Sequence, residues 1–143
     1  MIKIFMAKVG FALALALAGN ALAADTSSEK RRVILQVSDD DEETWDLALK
    51  VAENMLENAG GKDKIDIQIV AFSPGIMMVL RDSSVASRVT KAANKGIQVR
   101  ACAYTMGVRK LSLDKLAPGV KTVPFGALEI IDKQKEGWAY IKP

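Results

Sequence analysis

Short runs rich in β-branched residues alternate along this chain with stretches of helical spacing, and that alternation limits the fold more than any other feature. The strand-like runs are Arg32 to Val37, Ile65 to Phe72, Ile97 to Ala103, Lys121 to Phe125 and Trp138 to Lys142. Between them lie segments long enough to cross over a sheet and return. Such crossovers are right-handed and lay successive strands parallel. The rhythm therefore predicts an α/β fold: a three-layer, mostly parallel five-stranded sheet, with a flavodoxin-like strand order as its simplest version.

From Thr44 to Ala59 the residues Trp45, Ala48, Val51, Ala52, Met55 and Leu56 form one apolar helical stripe, closed by Gly60 and Gly61. Asp40 and Glu43 have the spacing of a cap at its start. Ile65 to Phe72 alternates, with Asp66 and Gln68 on one face, and a half-polar strand of this kind belongs near a sheet edge. Asp82 to Ser84 offer caps for a second helix, which buries Val85, Val89, Ala92 and Ala93 and closes at Gly96. A short helical piece over Thr105 to Leu111 and a third amphipathic helix over Ala127 to Glu136 complete the pattern. Trp138 and Tyr140 share strand parity and are expected to pack on one face.

The first residues have the layout of an address. Lys3 and Lys8 precede an apolar run, Val9 to Ala18, far shorter than the roughly 20 residues a membrane-spanning helix needs. Ala21 and Ala23 then supply a small-residue cleavage pattern. The expectation is a signal peptide over residues 1–23, a flexible leader over 24–31, and a single domain over 32–143, exported to the periplasm with no membrane attachment after cleavage. Of 20 basic side chains, 18 remain against 17 acidic ones once Lys3 and Lys8 are removed. A nearly neutral surface is not the clustered basic face that nucleic acid requires.

Chemistry centres on Cys102, the one cysteine of 143 residues that include no histidine. A lone cysteine closes no internal bridge. Without imidazole there is no general base for a hydrolytic triad, and zinc, copper or haem ligation has too few partners. The acidic run Asp39 to Glu43 lacks the spacing of a calcium loop, and no glycine-rich nucleotide motif is present; no metal and no cofactor are expected. In a parallel sheet, ligands sit beyond the carboxyl ends of the strands. Ser38 to Asp41, Phe72 to Gly75 and Cys102 to Met106 converge there. Cys102 would face backbone N–H groups at a helix start, with Arg100, Thr105 and Arg109 near in sequence as supports for an anionic sulfur. It is equally a small apolar filler between Ala101 and Ala103. Position alone leaves both readings open.

Several segments together resemble the DsrE/DsrF-like family of small sulfur-handling proteins: VILQVSDDDEETWDLAL, VAFSPG, LRDSSVASRV, GIQVRACAYTM, LAPGVKTVP and the closing EGWAYIKP. The resemblance covers nearly all of residues 32–143, in order. It implies a parallel α/β sheet, homo-oligomers such as trimers or hexamers, and, as in the sulfur-relay members, a cysteine that carries persulfide sulfur. Cys102 is the matching position. Relay members work in the cytoplasm with dedicated partners, whereas this chain has an export signal. The expected function is an exported sulfur carrier, sulfurtransferase-like at most, that takes sulfane sulfur on Cys102 from a donor protein and passes it to an acceptor protein. The alternative is a non-catalytic oligomeric module that binds a small ligand or serves assembly, with a structural buried cysteine.

Overall fold

The computed structural model describes residues 29–143. The signal peptide expected over residues 1–23, and residues 24–28 of the leader, lie outside the described residues. Glu29 and Lys30 have no regular structure. Arg31, assigned to the leader above, already belongs to the first strand.

The five β-branched runs become five strands: β1 (Arg31–Val37), β2 (Ile65–Ala71), β3 (Gln98–Cys102), β4 (Lys121–Val123) and β5 (Ala139–Ile141). All pair in parallel, in the order β4-β3-β2-β1-β5. The parallel five-stranded α/β sheet is as expected, but the order is not flavodoxin's 2-1-3-4-5. Here β1 to β4 step across the sheet in one direction, and β5 returns to the far side of β1, with Val33 opposite Ala139.

That order fixes which face each helix covers. Right-handed crossovers that step the same way put their helices on the same face. Thus α1 (Glu42–Asn58), α2 (Ala86–Asn94) and α3 (Ala103–Val108) share one side with the 3₁₀ segment Ser73–Val79, above a large core that includes Leu35, Leu49, Ile67, Met78, Val89 and Met106. The last crossover steps back, so α4 (Gly126–Lys135) lies on the opposite face and packs its Ile130 with Ile34, Val70, Val123 and Trp138. Among the described residues, one face has several covers and the other has one helix.

β2 corrects the sequence expectation: it is the central strand, flanked by β1 and β3. Its polar residues do not mark an edge, because each has a partner on the α4 face. Gln68 is 1% exposed, and its Nε2 donates to Glu129 Oε1 of α4 at 2.6 Å; Asp66 pairs with Lys30. A buried amide with a partner costs little, whereas one without a partner would be expensive.

Capping also shifts by a residue or more. Asp41, not Asp40, caps α1, accepting the Thr44 N–H at 3.0 Å. The Thr44 hydroxyl and N–H hold the Asp41 carboxyl below its usual value. α2 begins after Val85 with no side-chain cap, and Ser83 Oγ instead accepts the Val85 N–H in the preceding turn. Trp138 is buried under Lys133, whose Nζ stands 5.2 Å from the ring centroid, while Tyr140 is exposed and donates to Gln36 Oε1 at 2.8 Å.

Candidate functional site

The loops at the carboxyl ends of β1, β2 and β3 meet as parallel topology requires. Gly75 makes the closest approach: a Cβ there would overlap the Val37 carbonyl and stand 2.8 Å from Ser38 N. Only glycine lets the loop after β2 lie against the end of β1. That packing holds Ser73 in a left-handed conformation, φ 55°, with its N–H directed at Thr105 Oγ1, 3.1 Å away.

Cys102 ends β3 and caps α3. Its parity with Gln98 and Arg100 turns the side chain toward the α4 face. There Sγ accepts the Gly126 N–H at 3.2 Å and the Thr105 N–H at 3.5 Å. Gly126 is the first residue of α4, so two polypeptide segments from different parts of the chain donate to one sulfur. They are tied to each other by the Tyr104 N–H, which donates to the Pro124 carbonyl at 3.2 Å, and by the Tyr104 and Phe125 rings, 5.0 Å apart and tilted by 50°. A Cβ on Gly126 would come within 3.0 Å of the Phe72 side chain, so glycine here permits the close approach that carries the N–H to the thiol.

Burial pushes the thiol pKa up, since Cys102 is only 2% exposed. The Thr105 hydroxyl and the N–H groups of Thr105, Gly126 and Tyr104 outweigh that effect, and the net result lies below the ordinary thiol value. Thr105 has a double part. Its oxygen accepts from Ser73 and its own N–H donates to the sulfur, so this residue links the β2 loop to the thiol.

The arginines expected to help do not reach the sulfur in this way. Arg100 Nη2 donates to Gln98 Oε1 at 2.8 Å, back along β3, and Arg109 sits at the C-cap of α3. Neither contributes to the lowered thiol pKa; neutral hydrogen-bond donors do so. Of the three supports proposed from sequence, Thr105 joins Cys102 directly. Gly126 and Ser73 were not singled out as donors. A glycine opening a helix right after a strand was the one available sign for Gly126, and nothing local signalled that its helix would return to β3.

Beside the thiol is a cleft of ≈ 230 Å³ lined by Ser73, Pro74, Tyr104, Thr105, Val108 and Arg109. Thr105 belongs both to this wall and to the hydrogen bonds of the sulfur.

Fold and site together define a class: a small parallel α/β protein that holds a single thiol at its strand ends by backbone donors, able to stabilise a sulfur anion without a base or a metal. The sequence profile of the DsrE/DsrF-like family matches residues 31–143, and the chain belongs to that family. Among solved structures it is similar to MTH1491 of Methanobacterium thermoautotrophicum, a protein of unknown function. The two are 31% identical, the match covers 79% of this chain and 99% of that one, and the TM-score is 0.74. BT1422 of Bacteroides thetaiotaomicron, also of unknown function, is 15% identical over 78% of this chain and 94% of its own, with a TM-score of 0.65. YchN of E. coli is 15% identical over 80% of this chain and 100% of its own, with a TM-score of 0.64. The latter two show a shared fold. No curated protein matches the chain.

Proposed function

We propose that this protein is an exported sulfur carrier, sulfurtransferase-like in its chemistry, that holds sulfane sulfur as a persulfide on Cys102. The observation that carries the reading is the convergence of the Gly126 and Thr105 N–H groups on one sulfur at 3.2 and 3.5 Å, which favours thiolate over thiol. The thiolate attacks the outer sulfur of a donor persulfide, RS–SH. A bond forms between Sγ and that sulfur, the donor S–S bond breaks, and RS⁻ leaves with the electron pair and takes a proton from water. An acceptor thiolate reverses the exchange. No base or redox partner is consumed.

The test is intact mass after incubation with polysulfide. The expected result is an adduct of one sulfur atom on wild type, removed by a thiol reductant and missing from Cys102→Ser. No adduct on wild type removes the carrier role. One observation favours the second reading, a non-catalytic oligomeric module: the thiol is 2% exposed, as a packing residue would be. Exposed apolar side chains around the site, among them Tyr104, Val108 and Leu113, support assembly into a homo-oligomer, a trimer or hexamer by family resemblance. Export is part of the same proposal.

A further inference from the structure

We propose that the cleft beside Cys102 is the seat of a small carboxylate-bearing persulfide, with Arg109 as the residue that binds its anionic group. The inference rests on the carrier reading and adds the donor's chemical class.

The walls come from two i,i+4 pairs on α3. Tyr104 with Val108 makes an apolar side, and Thr105 with Arg109 makes a polar one, the Arg109 N–H donating to the Thr105 carbonyl at 3.0 Å. Side chains four apart on a helix are neighbours, about 5–6 Å between Cβ atoms. A ligand anion on the guanidinium therefore lies about one helical turn from the partition that hides the sulfur. Arg109 is exposed and pairs with no carboxylate among the described residues, and the lining contains no acidic side chain. The cleft thus has one charge, and it is positive. Its ≈ 230 Å³ equals the liquid volume of roughly eight waters, enough for a short-chain persulfide acid. Thr105 is the partition. A helical threonine has two accessible χ1 wells, and exchange between them is the smallest movement that joins sulfur and cleft. Transfer then follows the balanced exchange given above, with RS⁻ leaving into the cleft.

The test compares alkylation of Cys102 by iodoacetate, an anion, with alkylation by neutral iodoacetamide. In Arg109→Gln the ratio of the two rates is expected to fall about two- to fivefold, the factor an exposed ion pair supplies, while Arg109→Lys keeps most of it and added salt erodes it in wild type. A ratio unchanged in Arg109→Gln overturns the assignment. Neither reagent carries sulfane sulfur, so this readout is independent of persulfide storage. A fall in the ratio without any sulfur adduct leaves the anion site standing and removes the carrier role instead.

Discussion

Replacing Thr105 by valine keeps the shape of the side chain and removes both functions of its hydroxyl. The Ser73 N–H loses its acceptor at 3.1 Å, and Cys102 loses the largest of the influences that lower its pKa. A hydrogen bond of this kind contributes about 1 kcal/mol net, which corresponds to about a fivefold smaller thiolate fraction at a pH below the midpoint. The alkylation midpoint moves up. A more basic thiolate attacks faster, with a Brønsted coefficient of about 0.5, so the rate at a fixed low pH falls by only about twofold; the midpoint is the quantity to measure. Separately, the Ser73 N–H loses its acceptor where water can replace it, which costs about 0.5–1.5 kcal/mol of stability, read by chemical denaturation. Thr105→Ser restores the donor and should return the midpoint toward wild type. If the pH–rate profile of Thr105→Val overlays that of wild type, the hydroxyl does not hold the sulfur anion and the site has been assigned the wrong donor.

Three further outcomes test other parts of the structure. Because the folded thiol pKa is lowered, its contribution to stability is complete above the unfolded thiol value of about 8.5 and is lost as pH falls through the folded value; denaturation midpoints should rise across that window in wild type and not in Cys102→Ser. Gly75→Ala forces a Cβ against the Val37 carbonyl and Ser38 N, backbone that cannot yield, and should cost about 3 kcal/mol or more. Gly107→Ala, in α3 with nothing within 4 Å of its Cβ, should stabilise by about 0.5–1 kcal/mol in chemical denaturation.

The strand and helix rhythm was readable because each element carries its own period, and the core stripe of Trp45, Ala48, Ala52 and Leu56 is buried as that period requires. The misreadings share one cause, which is that strand order is a non-local property. Asp66 and Gln68 suggested an edge because sequence shows a polar residue and hides its partner; Glu129, 61 positions away, satisfies Gln68. Cys102 at the end of β3 was likewise legible from local signals. Its second donor was not, since Gly126 reaches it only because β4 lies beside β3, with Cys102 opposite Val123, and α4 starts from there. Arg100 and Arg109 attracted notice through sequence proximity, yet the Arg100 guanidinium is held by Gln98 back along β3 and Arg109 faces the cleft without contributing to the lowered thiol pKa.

The backward crossover also decides how the thiol can become reactive. Gly126 donates to the sulfur from the helix that covers it, so exposing Cys102 by lifting α4 would remove an anion-stabilising N–H in the same movement and break the Gln68–Glu129 bond. Opening through Thr105 is different. The hydroxyl leaves, but the Gly126 and Thr105 N–H groups belong to backbone that need not shift, and the sulfur meets the cleft with two donors still in place. Lifting α4 takes away the Gly126 donor and unseats a helix, whereas the Thr105 route takes away the hydroxyl alone and keeps both N–H donors on the sulfur. One variant tests this: if Phe125→Ala, which loosens the 5.0 Å ring contact, raises the midpoint and speeds the pH-independent iodoacetamide reaction by more than the Brønsted gain of a more basic thiolate, access runs under α4 and the cleft is bypassed. The geometry predicts that Phe125→Ala raises the midpoint with no gain in the pH-independent rate beyond that Brønsted share, because the entrance lies on the Thr105 side.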